Sequence, residues 1–418
     1  MSNDKLIQSI DFKKNPLWFK TLNGVWKSSY ALGTNIKLNK DSLIKAARKN
    51  TGLNDLGKDF WDEPLERMLD SINKEAQLHP IGRFISKKRI ENLLSVRLRA
   101  EEWFKKHPEI LEQDLYPVTV IIGLQRTGTT KLHRMMASDP DTRALLSWEA
   151  INPSPLNGDA KTGLDRIRMA RLSEKALKVM SPGFFAIHPV EHLAPEEDVL
   201  LLDVSFLSTT AEATTHVPSY SQWLEKTDQS SAYEYAVKLM KFLQWQRPAK
   251  RWVLKTPHHL EFLDLATKHF NDVQFVWTHR NPHEAIPSFL SMVTYSRILF
   301  SNQVDPFDVA QHWVKKIGYM TSKAIDFRTK NKEAKFIDVS YHELVNDSLS
   351  VMKRIYDARG LTINTELENT FRNTEQMNPK GKYGVHKYKV EDFGIDQQFI
   401  NDQTDHYQNF QKTLFNQS

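Results

Sequence analysis

Apolar residues along the first 115 positions recur at the three- and four-residue spacing of helices. Leu65, Met68, Leu69 and Ile72 line one stripe of DEPLERMLDSINKEAQL. Ile90, Leu93, Leu94 and Leu98 line another in SKKRIENLLSVRLRAEEWFKKHPEI. DSLIKAARKNTGL adds a helix with Asp41 or Ser42 as its start signal and Gly52 as its stop. Such stripes are what core-facing amphipathic helices carry.

The pattern changes at Pro117. PVTVIIGL is a short β-branched run between a proline and a glycine, the form of a buried strand. A glycine loop follows, and TKLHRMMASDP then reads as a helix ending before Pro140. Similar units come later. RWVLK (251–255), VQFVWTH (273–279) and KFIDVSY (335–341) read as strands, each followed by a helical stretch: HHLEFLDLATKHF, PHEAIPSFLSMV and HELVNDSLSVMKRIYDARG. Strands alternating with helices predict an α/β fold, a parallel sheet covered on both faces. The expected organisation is a helical N-terminal extension over 1–115 and an α/β domain over 116–418.

Composition narrows the class. Hydrophobic residues make up 40% and charged residues 26% of 418, ordinary for a globular protein. The net charge of +6 is mild for this length, and no zinc-finger spacing, basic arm or RNA-binding signature points to nucleic acid. There are no cysteines, which excludes disulfides, thiol nucleophiles and cysteine-ligated metal. No histidine spacing suits a metal site. MSNDKLIQSIDFKKNP lacks the apolar run of a secretory signal, and no run is long enough to span a bilayer. A soluble cytoplasmic protein is the expectation.

The candidate chemistry starts at GLQRTGTT (123–130), between a strand and a helix. Glycines there let backbone N–H groups converge on an anion at the positive end of the next helix. An NTPase loop reads G-x-x-x-x-G-K-[ST]; here Thr129 stands where the lysine should be, which argues against a nucleotide kinase. Arg126 is a cation inside the loop. THRNPHEAIPS places Arg280 at a strand's C-terminal end, where open parallel sheets bind ligands, with Ser288 eight residues on. LKTPHHLE places Lys255 at the preceding strand's tip, followed by His258 and His259, a charge stabiliser beside candidate bases.

GLQRTGTTKLHRMMASDPDTRALLSWE, WVLKTPHHLEFLD and VWTHRNPHEAIPSFLS together resemble the bacterial branch of the sulfotransferases that use 3′-phosphoadenosine 5′-phosphosulfate (PAPS). The resemblance runs from about residue 40 to the end. It implies a P-loop-type sulfotransferase moving a sulfonate from PAPS to a hydroxyl, or an amine, of a small-molecule acceptor. Adenosine 3′,5′-bisphosphate would be released, and no metal is needed. Gln125, Arg126, Thr127, Gly128, Thr129 and Thr130 would form the 5′-phosphosulfate loop. Arg280 and Ser288 would hold the 3′-phosphate. Lys380 and Gly381, in PKGKYG, match the segment that wraps the nucleotide. Arg126 and Lys255 would stabilise the transferring sulfonate, with His259 as the general base.

The chain departs from the better-known members at two places. Lys131 stands where they have a tryptophan stacked on adenine, and Pro257 where they have the catalytic histidine. His259 is therefore the first candidate base, with His258, His192 and Glu197 as alternatives. His192 and Glu197, in HPVEHLAPEEDVLL, are also candidates for acceptor recognition. Trp148 and Glu149 form a pocket wall or a buried, capped turn. Aromatic residues in 185–225 and 290–310 suit an apolar alcohol, sterol or lipid acceptor if they line a pocket, and a sugar if they are buried.

Overall fold

A computed structural model describes residues 17–29, 36, 38–156, 162–379 and 389–415. Five strands form its sheet: β1 (Val118–Gly123), β2 (Thr142–Ala144), β3 (Arg251–Lys255), β4 (Gln274–His279) and β5 (Lys335–Ser340). Their order is β2-β3-β1-β4-β5, and every pairing is parallel. β1 is central, with Ile121 opposite Lys255 of β3 and Gly123 opposite Thr278 of β4. The chain leaves β1 toward one edge, returns through β3, and then builds the other side with β4 and β5. The C-terminal end of β1 is therefore the topological switch point, where open sheets leave a crevice.

The alternation of β1 explains why helices cover both faces. Val120 and Ile122 join Leu254, Phe275 and Trp277 in one apolar cluster; Ile121 joins Val253, Val276 and Val339 in another. A strand buried on both sides reads as a continuous β-branched run, which is what VTVII is. Burying each such side chain contributes roughly 1.5–3 kcal/mol.

The helices that position the site are α1 (Pro80–Lys106), α2 (Thr129–Ala137), α3 (Ser230–Gln246), α4 (Pro282–Ile298), α5 (Pro306–Lys330) and α6 (Gln397–Phe415). Leu65, Met68, Leu94 and Ile110 of the N-terminal helices lie in the same cluster as Val120 and Trp252. That region packs on the sheet's own core.

Local differences from the sequence reading have identifiable causes. β2 was not expected, because three residues carry no periodicity; Thr142–Ala144 is a strand because it pairs with β3. The cap of the helix around Leu43 is Asn39, two residues before Asp41 and three before Ser42. Asn39 Oδ1 accepts from Ser42 N at 3.0 Å, and Gly52 ends the helix at φ 71° as expected. The stretch after β3 begins as a 3₁₀ turn, Pro257–Glu261, before the helix Leu263–His269. The helix expected after β5 breaks at Asp347, whose carboxylate caps the second piece by accepting from Ser350 N at 3.1 Å. Among the described residues, no helix is long and apolar enough to cross a membrane.

Candidate functional site

The loop between β1 and α2 is shaped by backbone conformations that few residues adopt. Gly123 has φ 139° and Gly128, the N-cap of α2, has φ 91°. A Cβ on Gly128 would also lie 2.8 Å from Leu344 Cδ2. Arg126 has φ 70°, an uncommon and costly conformation for a residue with a side chain. Three contacts hold it there. Arg126 Nε donates to Ser288 Oγ at 2.9 Å, its Nη1 donates to the Ile187 carbonyl at 3.4 Å, and its own carbonyl accepts from Arg280 Nη1 at 2.9 Å. Thr127 Oγ1 is buried, donating to the Leu124 carbonyl at 2.6 Å and lying 2.6 Å from Thr278 Oγ1. Its hydroxyl ties the loop to β4, so it offers an anion only its backbone N–H. Thr129 is buried, Thr130 is exposed, and Gln125 Oε1 is buried with no hydrogen-bond partner among the described residues.

Lys131, just after the loop, is engaged by neighbouring residues. Its Nζ donates to the Leu344 carbonyl at 2.9 Å and pairs with Glu375 at 2.5 Å. Arg280 follows β4 directly, and Ser288 sits about two turns into α4. Arg280 lies over the Tyr341 ring at 4.2 Å and donates to Glu284 Oε2 at 3.0 Å. Residues more than 150 positions apart, Arg126 and the pair Arg280 and Ser288, are thus joined around one point at the switch crevice.

The β3 tip carries a second group. Lys255 Nζ, almost fully buried, donates to Glu197 Oε1 at 2.6 Å, while Thr256 Oγ1 donates to the other Glu197 oxygen at 3.3 Å. Asp198 Oδ1 accepts the Lys255 backbone N–H at 2.9 Å. Burial acts to raise the Asp198 carboxyl, but the charge and hydrogen bond of His259 outweigh it and hold Asp198 below the usual range.

His259, expected as the general base, is placed otherwise. Its exposure is 0%. Nε2 lies 2.7 Å from Asp198 Oδ2 and Nδ1 lies 2.7 Å from the Tyr233 hydroxyl. Both nitrogens have hydrogen-bond partners inside the protein. His258 is also buried, stacked near Phe262 at 4.8 Å, and burial pushes it down to about 3. His133 of α2 is pushed down to about 3 by burial and by Lys255.

His192 is half-buried and held at 2.5 Å to Glu174 Oε2, while Glu197 is partly open to solvent beside Lys255. Glu149 is a structural anion. It makes two bonds to Arg143, at 2.8 and 3.0 Å, and the Trp148 ring lies 4.6 Å below Arg166. Lys380 and Gly381 lie outside the described residues. Asp198 and Tyr233 belong to the site's framework and were not singled out from sequence. The run Glu196, Glu197, Asp198 was the available signal for Asp198, whereas Tyr233 carries none.

Fold and site together define an α/β protein of the phosphate-loop class, with its cations gathered at the switch point. A model of the sulfotransferase family matches residues 117–365, more than half of the chain. The chain belongs to that family. The sulfotransferase STF1 from Mycobacterium tuberculosis H37Rv superposes with a TM-score of 0.77 at 27% identity, covering 88% of this chain and 98% of that one. STF9 from Mycobacterium avium superposes with a TM-score of 0.81 at 25% identity, covering 90% and 97%. No curated protein sequence matches the chain significantly.

Proposed function

We propose that the protein transfers a sulfonate from PAPS to a hydroxyl of a small-molecule acceptor by in-line displacement. The observation that carries the donor is the convergence of the loop with Arg280 and Ser288. A strained loop, two guanidinium groups and a buried serine hydroxyl around one point suit a nucleotide with two separated anionic groups. The residues fit PAPS. The positive-φ loop leaves backbone N–H groups for the 5′ side, and Arg280 and Ser288 serve the 3′ side.

When bound, PAPS supplies a sulfonate on a good phosphate leaving group, which needs no metal clamp across β and γ phosphates. Lys255 offers three N–H donors, one of them taken by Glu197. The others are available to charge developing on the sulfonate oxygens. Arg126, inside the loop, serves the same charge in this reading. Glu197, partly open to solvent and paired with Lys255, takes the acceptor's proton in this reading. The aromatics of 185–225 and 290–310 serve the core: Phe185, Phe206, Tyr220, Tyr295 and Phe300 are buried. Sugar hydroxyls are therefore the first acceptors to screen, with primary amines after them. A chain without cysteine fits the reducing cytoplasm.

The test is isothermal titration with adenosine 3′,5′-bisphosphate on wild type and Arg280→Ala. We expect binding that weakens at least about tenfold in the variant, the worth of a lost charge-assisted hydrogen bond to phosphate. A wild-type protein that ignores the bisphosphate but binds ATP with Mg²⁺ would refute the proposal.

A further inference from the structure

Three side chains from three separate elements form one hydrogen-bonded row beneath the β3 tip. Tyr233 comes from α3, His259 from the turn after β3, and Asp198 from the acidic segment 196–198. Asp198 uses both oxygens: Oδ2 faces His259 Nε2 at 2.7 Å, and Oδ1 accepts the Lys255 backbone N–H at 2.9 Å. A carboxylate only accepts, so the imidazole proton on that side belongs to Nε2, and Nδ1 shares a 2.7 Å hydrogen bond with the Tyr233 hydroxyl. Glu197, next in the chain to Asp198, grips the Lys255 ammonium at 2.6 Å. Two adjacent acids therefore hold one lysine, by its backbone and by its side chain.

We infer that Tyr233, His259 and Asp198 form a positioning relay that sets where Lys255 and Glu197 meet the sulfonate and the acceptor. This rests on the sulfonate-transfer reading above. His259 is a positioning residue and does not touch substrate. Its ring orients Asp198, and Asp198 aims the lysine that ends β3. Among the described residues, no other hydrogen-bond partner of the imidazole competes with this assignment. Its ring neighbours, His258 at 6.4 Å and Phe270 at 5.7 Å, give it shape and no proton.

The relay can be separated from both a catalytic base and a plain core contact by comparing two ligands. Adenosine 3′,5′-bisphosphate has no sulfonate and makes no demand on Lys255, whereas PAPS does. Titrations would use wild type, His259→Ala, His259→Gln and the near-isosteric Tyr233→Phe. Bisphosphate affinity should stay within about twofold throughout, while PAPS affinity falls about tenfold in His259→Ala and by less in Tyr233→Phe, each tenfold being one well-placed charged hydrogen bond. His259→Gln should recover most of the loss, because its amide N–H can reach Asp198 as Nε2–H does. Equal loss of both ligands would reduce the relay to core packing, and unchanged PAPS affinity in folded His259→Ala and Tyr233→Phe would remove it. Wild type binding neither ligand would instead sink the sulfonate-transfer reading beneath it. Nitrogen NMR of the wild-type histidines gives a check that needs no variant: the proton should sit on His259 Nε2, and an unprotonated Nε2 overturns the relay.

Discussion

Glu197 and Lys255 meet with the carboxylate side chain 23% open to solvent and the lysine 5% open. That difference sets their roles. A cation almost removed from water acts strongly on nearby charge, while a carboxylate at the rim can still reach an incoming hydroxyl. Replacing Glu197 with Gln keeps the shape and removes the proton acceptor. Turnover of any acceptor found should drop by about 10²–10⁴, the usual contribution of a positioned base, with the affinity for adenosine 3′,5′-bisphosphate unchanged. Steady-state kinetics beside titration would show it, and a variant with wild-type turnover would move the base elsewhere. Arg126, Lys255, Arg280 and Ser288 were legible as candidates because their place after a strand or in a glycine loop is written in the sequence. The assignment of His259 was not, since an imidazole's usefulness depends on what surrounds it.

At the scale of elements, the loop and α2 are one unit whose geometry depends on Gly128. Its φ of 91° and the nearness of Leu344 leave no room for a side chain. Gly128→Ala should destabilise the protein by roughly 1–3 kcal/mol and weaken adenosine 3′,5′-bisphosphate binding as well. Thermal melting with and without the ligand would report both. Gly52, with similar φ but nothing near its absent Cβ, is the control, and its replacement should leave ligand affinity alone. β1, β3, β4 and β5 could be read as short apolar runs, buried in β1, β3 and β4 and half-exposed in the edge strand β5. β2 could not, because the three residues Thr142–Ala144 become a strand only by pairing with β3. The break at Asp347 was hidden for a related reason: one aspartate can sit in a helix or cap the next one, and the packing chooses.

Over the whole molecule, a buried charge cluster ties the β3 turn to α5. Lys316 Nζ lies 3.0 Å from Glu261, 3.1 Å from Glu225 and 3.9 Å from Glu212. Burial pushes the Glu261 carboxyl up to about 7, against the pull of Lys316 and with help from the Glu212 charge. Burial also opposes charge on Glu212, yet Lys316 and His312 hold it down to about 2. The sign for Glu261 follows from linkage. Between its ordinary range near 4.5 and about 7 the folded protein holds a proton that the unfolded chain has lost, so stability falls as pH rises through that window. Glu261→Gln should remove this slope. Its stability should gain on wild type by roughly 1–3 kcal/mol between pH 4.5 and 8. Denaturant unfolding of both proteins across that range decides it, and parallel curves would exclude the cluster as the cause.

The sequence by itself determined the α/β class, the strand–loop–helix unit at 118–137, and the cations at the strand tips. Each of these depends on residues close together in the chain: a β-branched run, glycines that permit positive φ, an arginine directly after a strand. Tertiary structure alone decided which acid pairs with Lys255 and which histidine is held in the interior. Those answers depend on contacts such as Asp198 with His259 and Tyr233 with His259, made across 61 and 26 residues. Burial and hydrogen-bond partners, which no local pattern encodes, turn the same imidazole into either a base or a strut.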